Sequence, residues 1–530
     1  GCIRGRTQWC PRPVPQSPPP PLIPEFFAGR EVFITGGTGF MGKVLVERLL
    51  WTCRDVARVH LLLRRKQDCA PQKRLAQLKQ SKVFDVIRAH CPQQLDKLNA
   101  VPGDVTQPRL GLDQHHLNQL QQVSVVFHSA ATLKFTEPLE AALAQNVRPV
   151  ITLMDICDEL PNMQVLVHVS TAYSNAELSV VEERVYPSPT SPAQVLALVE
   201  HLPPELLADT THKLISPKPN TYTFTKALAE RAVAEHAAAA SYATAIFRPT
   251  IVISSQRTPF PGWIENLNGP SGVMVGAGKG VLHVLSCDGG QRADMLPVDL
   301  AIDTLLAVAW ETAVDDLRET RVYNCSTCSN PITWEQFRSY MLSGVRAHPF
   351  DNAMWYPYGL ITESTMMQKL LETVLQTAPL YLIHYVSKMC GIKPRPSLST
   401  VSKRMQAMNE ALKFFALREW HFNTDNVQRL KQRLSPADAA VFNLDPSTID
   451  WTEVCTDFVK GTRKYLLREK DEDIEHAQRR MHLLHMMHNA TMLFLTVLLC
   501  RLAMRTTPAI LRAIATLIRL RRKSSILHNI

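Results

Sequence analysis

Acidic residues are missing from the end of the chain. No Asp or Glu follows Glu475, whereas nine Arg and Lys residues do, the first being Arg479. These nine residues account for most of the formal net charge of +10, so the preceding chain is close to neutral. A basic end beside apolar runs fits a membrane surface better than a nucleic-acid groove. We therefore predict membrane lipid as a partner, and no nucleic acid.

The chain also lacks paired cysteine spacing and a signal-peptide pattern. Its twelve cysteines are scattered, and the one C-x-x-C, formed by Cys325 and Cys328, has no second pair or nearby histidine that would complete a zinc site. We predict no disulfide framework, no metal site, and a reducing compartment. The sequence begins at Gly1 rather than Met, so we expect the natural N-terminus to lie outside it.

A glycine-rich turn at residues 31–50 organises the rest of the chain. An apolar run at 32–34 predicts a buried strand, and residues 43–50 have the spacing of an amphipathic helix. Glycine between them lets the backbone approach a pyrophosphate, and the amides at the helix start would hold its negative charge. Alone, the turn could be only a tight strand-to-helix connection. The residues predicted to bind a dinucleotide here are Gly36, Gly37, Thr38, Gly39, Phe40, Met41 and Gly42.

The next predicted strand, residues 59–63, ends in basic residues. Arg64 and Arg65 stand where an acidic residue would bind a ribose 2′-hydroxyl, and a basic residue instead favours a 2′-phosphate. This placement predicts NADPH rather than NADH, although a solvated basic turn has the same composition. Asp104, after another strand, is suited to the adenine edge.

Further strands complete the pattern. Residues 123–127 are followed by small residues that include Ala130, against which a ring or ribose could lie, and Asn146 is predicted to open a helix near the cofactor. The strand at 165–169 ends in the hydroxyls of Ser170 and Thr171. Strands alternating with helices predict an α/β fold with a doubly wound parallel sheet, whose ligands bind beyond the carboxyl ends of the strands.

Tyr222 and Lys226 stand four residues apart at the start of an Ala-rich helix, so both side chains lie on one helix face. A nearby cation favours phenolate and is expected to lower the pKa of the Tyr222 phenol, which could then act as a general acid towards a carbonyl oxygen. The pair alone is a weak motif. It gains specificity because it follows the glycine loop, the basic turn and the Ser/Thr strand end in that order.

Together these motifs resemble the extended short-chain dehydrogenase/reductase superfamily and, more narrowly, the alcohol-forming fatty acyl-CoA reductases. The stretches that carry the resemblance are residues 33–43, 167–175, 220–230, 248–252, 261–270, 293–299, 419–423, 450–451 and 461–465. The resemblance implies a Rossmann reductase domain at 25–300, a substrate-side extension at 301–355 and a helical domain at 356–470. Residues 1–24 are predicted to be a disordered Pro-rich leader, and 480–530 a membrane-associated tail.

The resemblance further implies reduction of a long-chain acyl-CoA to a primary alcohol in two hydride transfers from NADPH, as in wax or ether lipid synthesis. Tyr222 would protonate the alkoxide, and Lys226 would hold the nicotinamide ribose. Thr171 or Ser170 would donate a hydrogen bond to the same oxygen, with Thr171 slightly favoured because the strand register decides. Arg248, in the matching stretch 248–252, joins the cofactor-binding residues. Rival interpretations are a membrane-associated sterol or sugar-nucleotide dehydrogenase and a non-catalytic NADPH sensor.

Two segments outside these motifs bear on the substrate. Residues 186–220 and 261–280 are predicted to flank an acyl entrance. The alternative for the insertion 186–220 is a surface elaboration. In the tail, the apolar run 483–500 is at the short end for a membrane span, and His482, His485 and His488 are expected to form a wet interfacial face. Arg505, Arg512 and Arg519 predict a helix lying among headgroups, unless the tail packs on the enzyme. We expect an endoplasmic reticulum or peroxisomal membrane, with the catalytic domain facing the cytosol. The sequence predicts no particular oligomeric state.

Overall fold

A computed structural model of the chain describes residues 22–66, 69–188, 190–389 and 398–527. The predicted leader therefore lies outside the described residues, except for its last three. Those three belong to the first helix, where Ile23 is buried, so the leader was predicted to end too late. The backbone amides of Leu22 and Ile23 donate to the Asp438 carboxylate at 2.9 and 3.1 Å. This long-range cap, which no local pattern reveals, starts the helix.

The predicted parallel sheet is confirmed. Seven strands pair in parallel in the order β3-β2-β1-β4-β5-β7-β11, and their central residues are buried on both faces. Short pairs, β8 with β10, β9 with β12 and β6 with β13, lie outside this sheet. The strands are β1 Glu31–Thr35, β2 Arg58–Leu63, β3 Leu98–Pro102, β4 Val123–His128, β5 Val165–Val169, β6 Val180–Val181, β7 Ala243–Pro249, β8 Ile251–Ile253, β9 Val284–Ser286, β10 Met295–Pro297, β11 Arg321–Cys325, β12 Leu360–Thr362 and β13 His421–Phe422.

Helices cover both faces of the sheet and form the C-terminal part. They are α1 Leu22–Phe27, α2 Phe40–Thr52, α3 Pro71–Lys79, α4 Asp85–His90, α5 Gln114–Gln119, α6 Leu139–Asn146, α7 Arg148–Asp158, α8 Pro192–His201, α9 Pro204–Ile215, α10 Thr221–Ala237, α11 Pro270–Gly278, α12 Val298–Asp315, α13 Trp334–Ala347, α14 Thr365–Glu372, α15 Ala378–Met389, α16 Leu398–Ala416, α17 Asp425–Arg433, α18 Pro436–Val441, α19 Trp451–Gly461 and α20 Ile474–Leu527. A π-helical turn, Thr373–Thr377, joins α14 to α15.

The boundary predicted at residue 300 does not separate two bodies. The helix α12 runs across it, and β11 forms the edge of the main sheet although it lies in the predicted extension. The extension also supplies α13, which packs on α19 of the helical part. The reductase sheet and the helical part therefore share one hydrophobic core.

Two glycines lie where backbone of the reductase part meets backbone of the helical part. Gly262, with φ of +76°, lies in the loop after β8, and Gly461 ends α19. A Cβ on Gly461 would overlap the carbonyl oxygen of Gly262, and one on Gly262 would overlap the carbonyl oxygen of Asp457. Backbone meets backbone here, with no room for a side chain on either.

The tail is one long helix, α20, rather than two. Residues 471–501 contain a stretch long and apolar enough to span a membrane, and little of that stretch is buried. The side chains of Arg505, Arg512 and Arg519 lie outside the described residues, so their predicted headgroup face stays a prediction. The predicted wet histidine face is wrong in part. His485 stacks on Tyr356 at 4.5 Å, and His488 accepts a hydrogen bond from the Trp355 indole at 3.1 Å.

Candidate active site

One large cavity, of about 1150 Å³, begins at the carboxyl ends of the sheet strands. Its first part is lined by the glycine loop and by the predicted catalytic side chains. It then continues between α11, α13 and α16, where apolar side chains line it. The lining there includes Met274, Leu282, Phe337, Met341, Met405, Met408 and Phe415. The predicted catalytic side chains and the apolar chamber therefore belong to one continuous cavity.

The two segments predicted to flank an acyl entrance differ. Residues 266–279 line the cavity, which agrees with the prediction for 261–280. No described residue between Tyr173 and Tyr222 lines it, and Leu196 instead packs against the core on the side of β4 and α10. The insertion at 186–220 is thus a surface elaboration, because α8 packs on α10 and no described residue of the insertion lines the chamber.

The glycine loop has the shape that a dinucleotide needs. Gly36 has φ of +78°, and a Cβ there would stand 2.7 Å from the backbone nitrogen of Ala130. A Cβ on Gly42 would overlap the carbonyl oxygen of Gly36, so these glycines are required by packing. Gly39 differs, since its Cβ would meet only that same oxygen, at 3.2 Å, and it otherwise faces the cavity. An open Cβ site above a helix N-terminus is what a pyrophosphate requires.

The rest of the loop divides by role. Phe40 and Met41 line the cavity with Gly36, Gly39 and Gly42, whereas Gly37 and Thr38 do not. Gly37 lies over Leu61 of β2. Ala130 itself supports the loop through its backbone, and its neighbours Ser129 and Ala131 line the cavity.

Tyr222, Lys226 and Thr171 come together at the cavity wall as predicted. The cap Asn220, whose side chain accepts from the Thr223 amide at 2.9 Å, starts α10 one residue before Tyr222. The Lys226 ammonium donates to the carbonyl oxygen of Val169, at the end of β5, at 2.8 Å. This bond holds the base of α10 against the strand that carries Thr171.

The predicted lowering of the Tyr222 pKa is wrong for the described structure. Burial raises the pKa of the Tyr222 phenol to about 12, and the neighbouring Thr171 hydroxyl only partly opposes this. Burial also lowers the pKa of Lys226 to about 8, against the opposing charge of Glu230. Desolvation outweighs the cation because both groups lie in the protein interior.

Ser170, which also lines the cavity, and the buried Arg248 both bind the Glu230 carboxylate. The Ser170 hydroxyl donates to Glu230 Oε1 at 2.5 Å, and Arg248 binds the same carboxylate through Nε at 2.9 Å and a terminal nitrogen at 2.6 Å. The guanidinium also donates to the backbone carbonyls of Glu182 and Arg184. Arg248 is fully buried and does not line the cavity, so its predicted cofactor role is wrong. Since the Ser170 proton is already engaged, Thr171 is the hydroxyl available at the cavity.

Asn146 also differs from its prediction. It ends α6 instead of opening α7, and it does not line the cavity. Its amide accepts from the Thr132 backbone at 2.9 Å and donates to the Thr225 hydroxyl at 3.0 Å. Asn146 therefore ties the segment after β4 to α10. Asp104 accepts from the backbone and hydroxyl of Thr106, and its adenine contact stays a prediction.

Arg74 lies beside the glycine loop, although no motif in the sequence predicts it. The side chains of Arg64 and Arg65 are exposed beyond the end of β2. From α3, Arg74 reaches back to donate to the carbonyl oxygen of Arg64 at 2.7 Å and to the Thr38 hydroxyl at 3.3 Å. It thus joins the basic turn to the glycine loop. The signal in the sequence was weak, because α3 carries several basic residues with no distinguishing pattern.

Two buried histidines lie near Lys226. His128 and His168, at the ends of β4 and β5, stack with ring centroids 5.4 Å apart. Burial and the nearby Lys226 charge lower the pKa of His128 to about 3 and hold that of His168 well below its usual value. Both rings are therefore neutral at physiological pH, which leaves Lys226 as the positive charge there.

Comparisons with known proteins agree with this architecture. Two family models, both described as male sterility protein, match residues 34–305 and 375–469. Fatty acyl-CoA reductase 1 of Gallus gallus is 36% identical over 91% of this chain and 93% of its own length. Fatty acyl-CoA reductase 2 of Bos taurus is 34% identical over 88% and 90%.

Solved structures share the fold. The reductase domain of a nonribosomal peptide synthetase from Mycobacterium tuberculosis has a TM-score of 0.55 at 17% identity, covering 82% of this chain and 91% of its own. The terminal R domain of the myxalamid PKS-NRPS pathway has a TM-score of 0.54 at 17% identity, covering 84% and 93%.

Proposed function

The chain belongs to the fatty acyl-CoA reductase family, whose nucleotide-binding male sterility domain it carries, and on this basis we propose that it reduces a long-chain fatty acyl-CoA to a primary alcohol with NADPH. The observation that carries the proposal is the continuity of the cavity. A thioester at Thr171 and Tyr222 would leave its acyl chain in the apolar chamber between α11, α13 and α16.

The glycine loop fits a nicotinamide dinucleotide. Gly39 leaves the space for a pyrophosphate, and Lys226 and Tyr222 lie where the nicotinamide ribose would be held. Arg64, Arg65 and Arg74 offer guanidinium groups to a 2′-phosphate, which supports NADPH over NADH. The bound reduced nicotinamide supplies hydride to the carbonyl carbon.

The residues of the chain handle the oxygen. The hydroxyls of Thr171 and Tyr222 donate hydrogen bonds to the carbonyl oxygen and stabilise the charge that develops there. A pKa of about 12 keeps Tyr222 protonated at neutral pH, so it holds a proton to give. Collapse of the resulting hemithioacetal breaks the C–S bond and releases CoA thiolate. The aldehyde stays with its chain in the chamber, and Tyr222 gives its proton to the alkoxide after a second hydride transfer.

The tail supports a membrane location. Beyond Asn489, apolar side chains of α20 such as Leu493, Phe494 and Leu499 are each at least 64% exposed, and such a surface is unfavourable in water. We place the protein in an endoplasmic reticulum or peroxisomal membrane, with the cavity on the cytosolic side, where CoA thioesters occur.

Product analysis tests the reaction. Purified full-length protein with NADPH and a panel of acyl-CoAs should yield fatty alcohol and free CoA, and two NADPH should be consumed per alcohol. Tyr222→Phe should lower kcat by roughly 10² to 10⁴, because the proton donor is lost. The matched control is Tyr173→Phe, which removes a phenol from the same cavity wall and should keep most of the activity.

Two results would contradict the proposal. Alcohol formation by Tyr222→Phe at the parental rate would remove the proton donor from the mechanism. Retained NADPH binding with no turnover of any acyl-CoA by the parent protein would favour the non-catalytic sensor instead.

A further inference from the structure

The helical segment 365–389, formed by α14, the π turn and α15, exposes a row of large apolar side chains. Its exposed side carries large apolar residues at intervals of four or seven positions. These residues, which we call the outer face, are Met366, Leu370, Val374, Tyr381, Tyr385 and Met389. Met366 is 81% exposed and Met389 74%, so none of the residues that the structure describes covers these two side chains.

The opposite side of the same segment buries three polar side chains as well as Leu380. Gln368, Glu372 and Gln376 are each less than a tenth exposed, and Gln368 donates to Glu372 at 3.3 Å. A helix on the surface of a water-soluble domain usually keeps most of its large apolar side chains on the inner side, with polar residues outside. A contiguous row of exposed apolar side chains marks a surface that contacts a membrane or another protein.

The segment lies next to the base of the tail. Gln376 accepts a hydrogen bond from the backbone of His283 at 3.0 Å. The ring of His283 stacks on Tyr358 at 4.2 Å, and Tyr358 contacts His488 of α20 at 5.1 Å. The exposed apolar residues of α20 begin at this level, with Leu483, Met486 and Met487. The segment is therefore linked to the base of the candidate membrane span through His283 and Tyr358.

The surroundings of the outer face carry basic charge and aromatic groups. Lys369, Lys388, Lys403 and Arg404 are exposed on the segment or on the adjacent α16. Exposed lysine and arginine beside apolar residues match anionic phospholipid headgroups, and Tyr381 and Tyr385 are of the type that lies at a membrane interface.

The inner side of the segment packs against the wall of the cavity. Leu380, on the inner side, packs with Val401 and Met405 of α16, and both of those residues line the cavity. One helix layer thus separates the exposed apolar face from the apolar chamber.

We propose that the outer face is a second membrane contact, which lies in the headgroup region of an anionic phospholipid bilayer beside the span formed by α20. The inference rests on the membrane attachment proposed for the tail, but not on the reaction. It orients the protein with α14, α15 and the nearby wall of the chamber against the bilayer.

Photo-cross-linking in reconstituted protein tests this contact. A photoreactive amino acid replaces Leu370 or Tyr385 in the full chain, which is placed in phosphatidylcholine vesicles with or without phosphatidylserine. The matched control is Leu317, an exposed leucine in the turn after α12 on the sheet side of the molecule. Flotation of the parent protein with the vesicles checks the tail separately.

We expect lipid adducts at 370 and 385 several-fold above those at 317, with a further increase when phosphatidylserine is present. Adduct levels at 370 and 385 equal to the Leu317 control in protein that floats would overturn the proposal. Adducts to a second copy of the chain would also overturn it, because the outer face would then be an interface between protomers.

A substitution adds a functional measurement. Leu370→Asp with Tyr385→Asp should raise KM for long-chain acyl-CoA presented in vesicles several-fold and leave kcat unchanged, while Leu317→Asp should alter neither. Circular dichroism would confirm that the double variant is folded. Parent protein without acyl-CoA turnover would refute the proposed reaction, and the lipid adducts would still decide this contact.

Discussion

At the scale of single residues, the glycines of the loop look alike in the sequence but differ in what surrounds them in the fold. Gly36 and Gly42 are fixed by backbone neighbours, whereas Gly39 faces open space in the cavity. The motif predicted all three as cofactor residues, and it could not show which of them the fold itself requires. That distinction depends on where β1, α2 and the turn after β4 meet.

Gly39→Ala should therefore leave the fold intact and weaken cofactor binding, because the new methyl group occupies the pyrophosphate space. Gly42→Ala should unfold more easily, by about 2 kcal/mol, because its methyl group overlaps the Gly36 carbonyl. Thermal melts with and without NADPH separate the two effects. A normal NADPH-induced shift in Gly39→Ala would contradict the assignment.

Arg74→Ala should raise KM for NADPH roughly tenfold, the loss expected for a charged hydrogen bond, with little change in KM for NADH. The measurement is a pair of saturation curves with the two nucleotides. Lys79→Ala on the same helix is the control, since Lys79 contacts neither the loop nor the basic turn through any described hydrogen bond. An equal effect on both nucleotides would mean that Arg74 only supports the loop.

Lys226 predicts a pH dependence. Burial lowers the pKa of its ammonium to about 8, so the free enzyme loses this charge as the pH rises through about 8. We expect kcat/KM to be constant below that value and to fall above it, because a neutral amine no longer attracts the cofactor ribose. In Lys226→Arg, which stays protonated, any remaining activity should lack this fall. The same fall in the Arg variant would assign it to another group.

At the scale of elements, apolar strands and their order were predictable because burial on both faces leaves a continuous apolar run. Side-chain direction was not. Arg248 and Asn146 occupy positions that fit a cofactor role in the sequence, yet Glu230 and Thr132 engage them beneath the surface. The roles of Thr171 and Ser170 likewise separated only through Glu230, sixty residues away from Ser170.

The wall between α11 and α16 should control chain length. A Cβ on Gly276 would stand 3.0 Å from the Met405 sulfur, so the two helices are in close contact where they line the cavity. Met405→Ala enlarges the chamber and should shift the preferred acyl-CoA towards longer chains in a competition assay. Met163→Ala, at a buried site outside the cavity, should leave the preference unchanged despite a similar loss of stability.

At the scale of the whole molecule, the tail and the enzyme are joined more closely than the sequence indicated. The residues 481–488 pack on Ala353 and Tyr356, while the apolar residues beyond them are exposed. Truncation after Asn489 keeps the packed part and removes most of the span. We expect the truncated protein to resist neither alkaline carbonate nor high salt, whereas the full chain stays with membranes through both washes. Carbonate-resistant pelleting of the truncated protein would contradict the assignment of the span.

The contact between Gly262 and Gly461 bears on how sequence variation in this enzyme is interpreted. Neither position has room for a side chain, because the backbone of the opposite segment occupies the space. A survey of all substitutions would score both glycines as severely as the proton donor, although neither lines the reaction chamber. Substitutions there should lower protein abundance rather than turnover per molecule, a difference that immunoblotting beside a specific-activity assay makes visible.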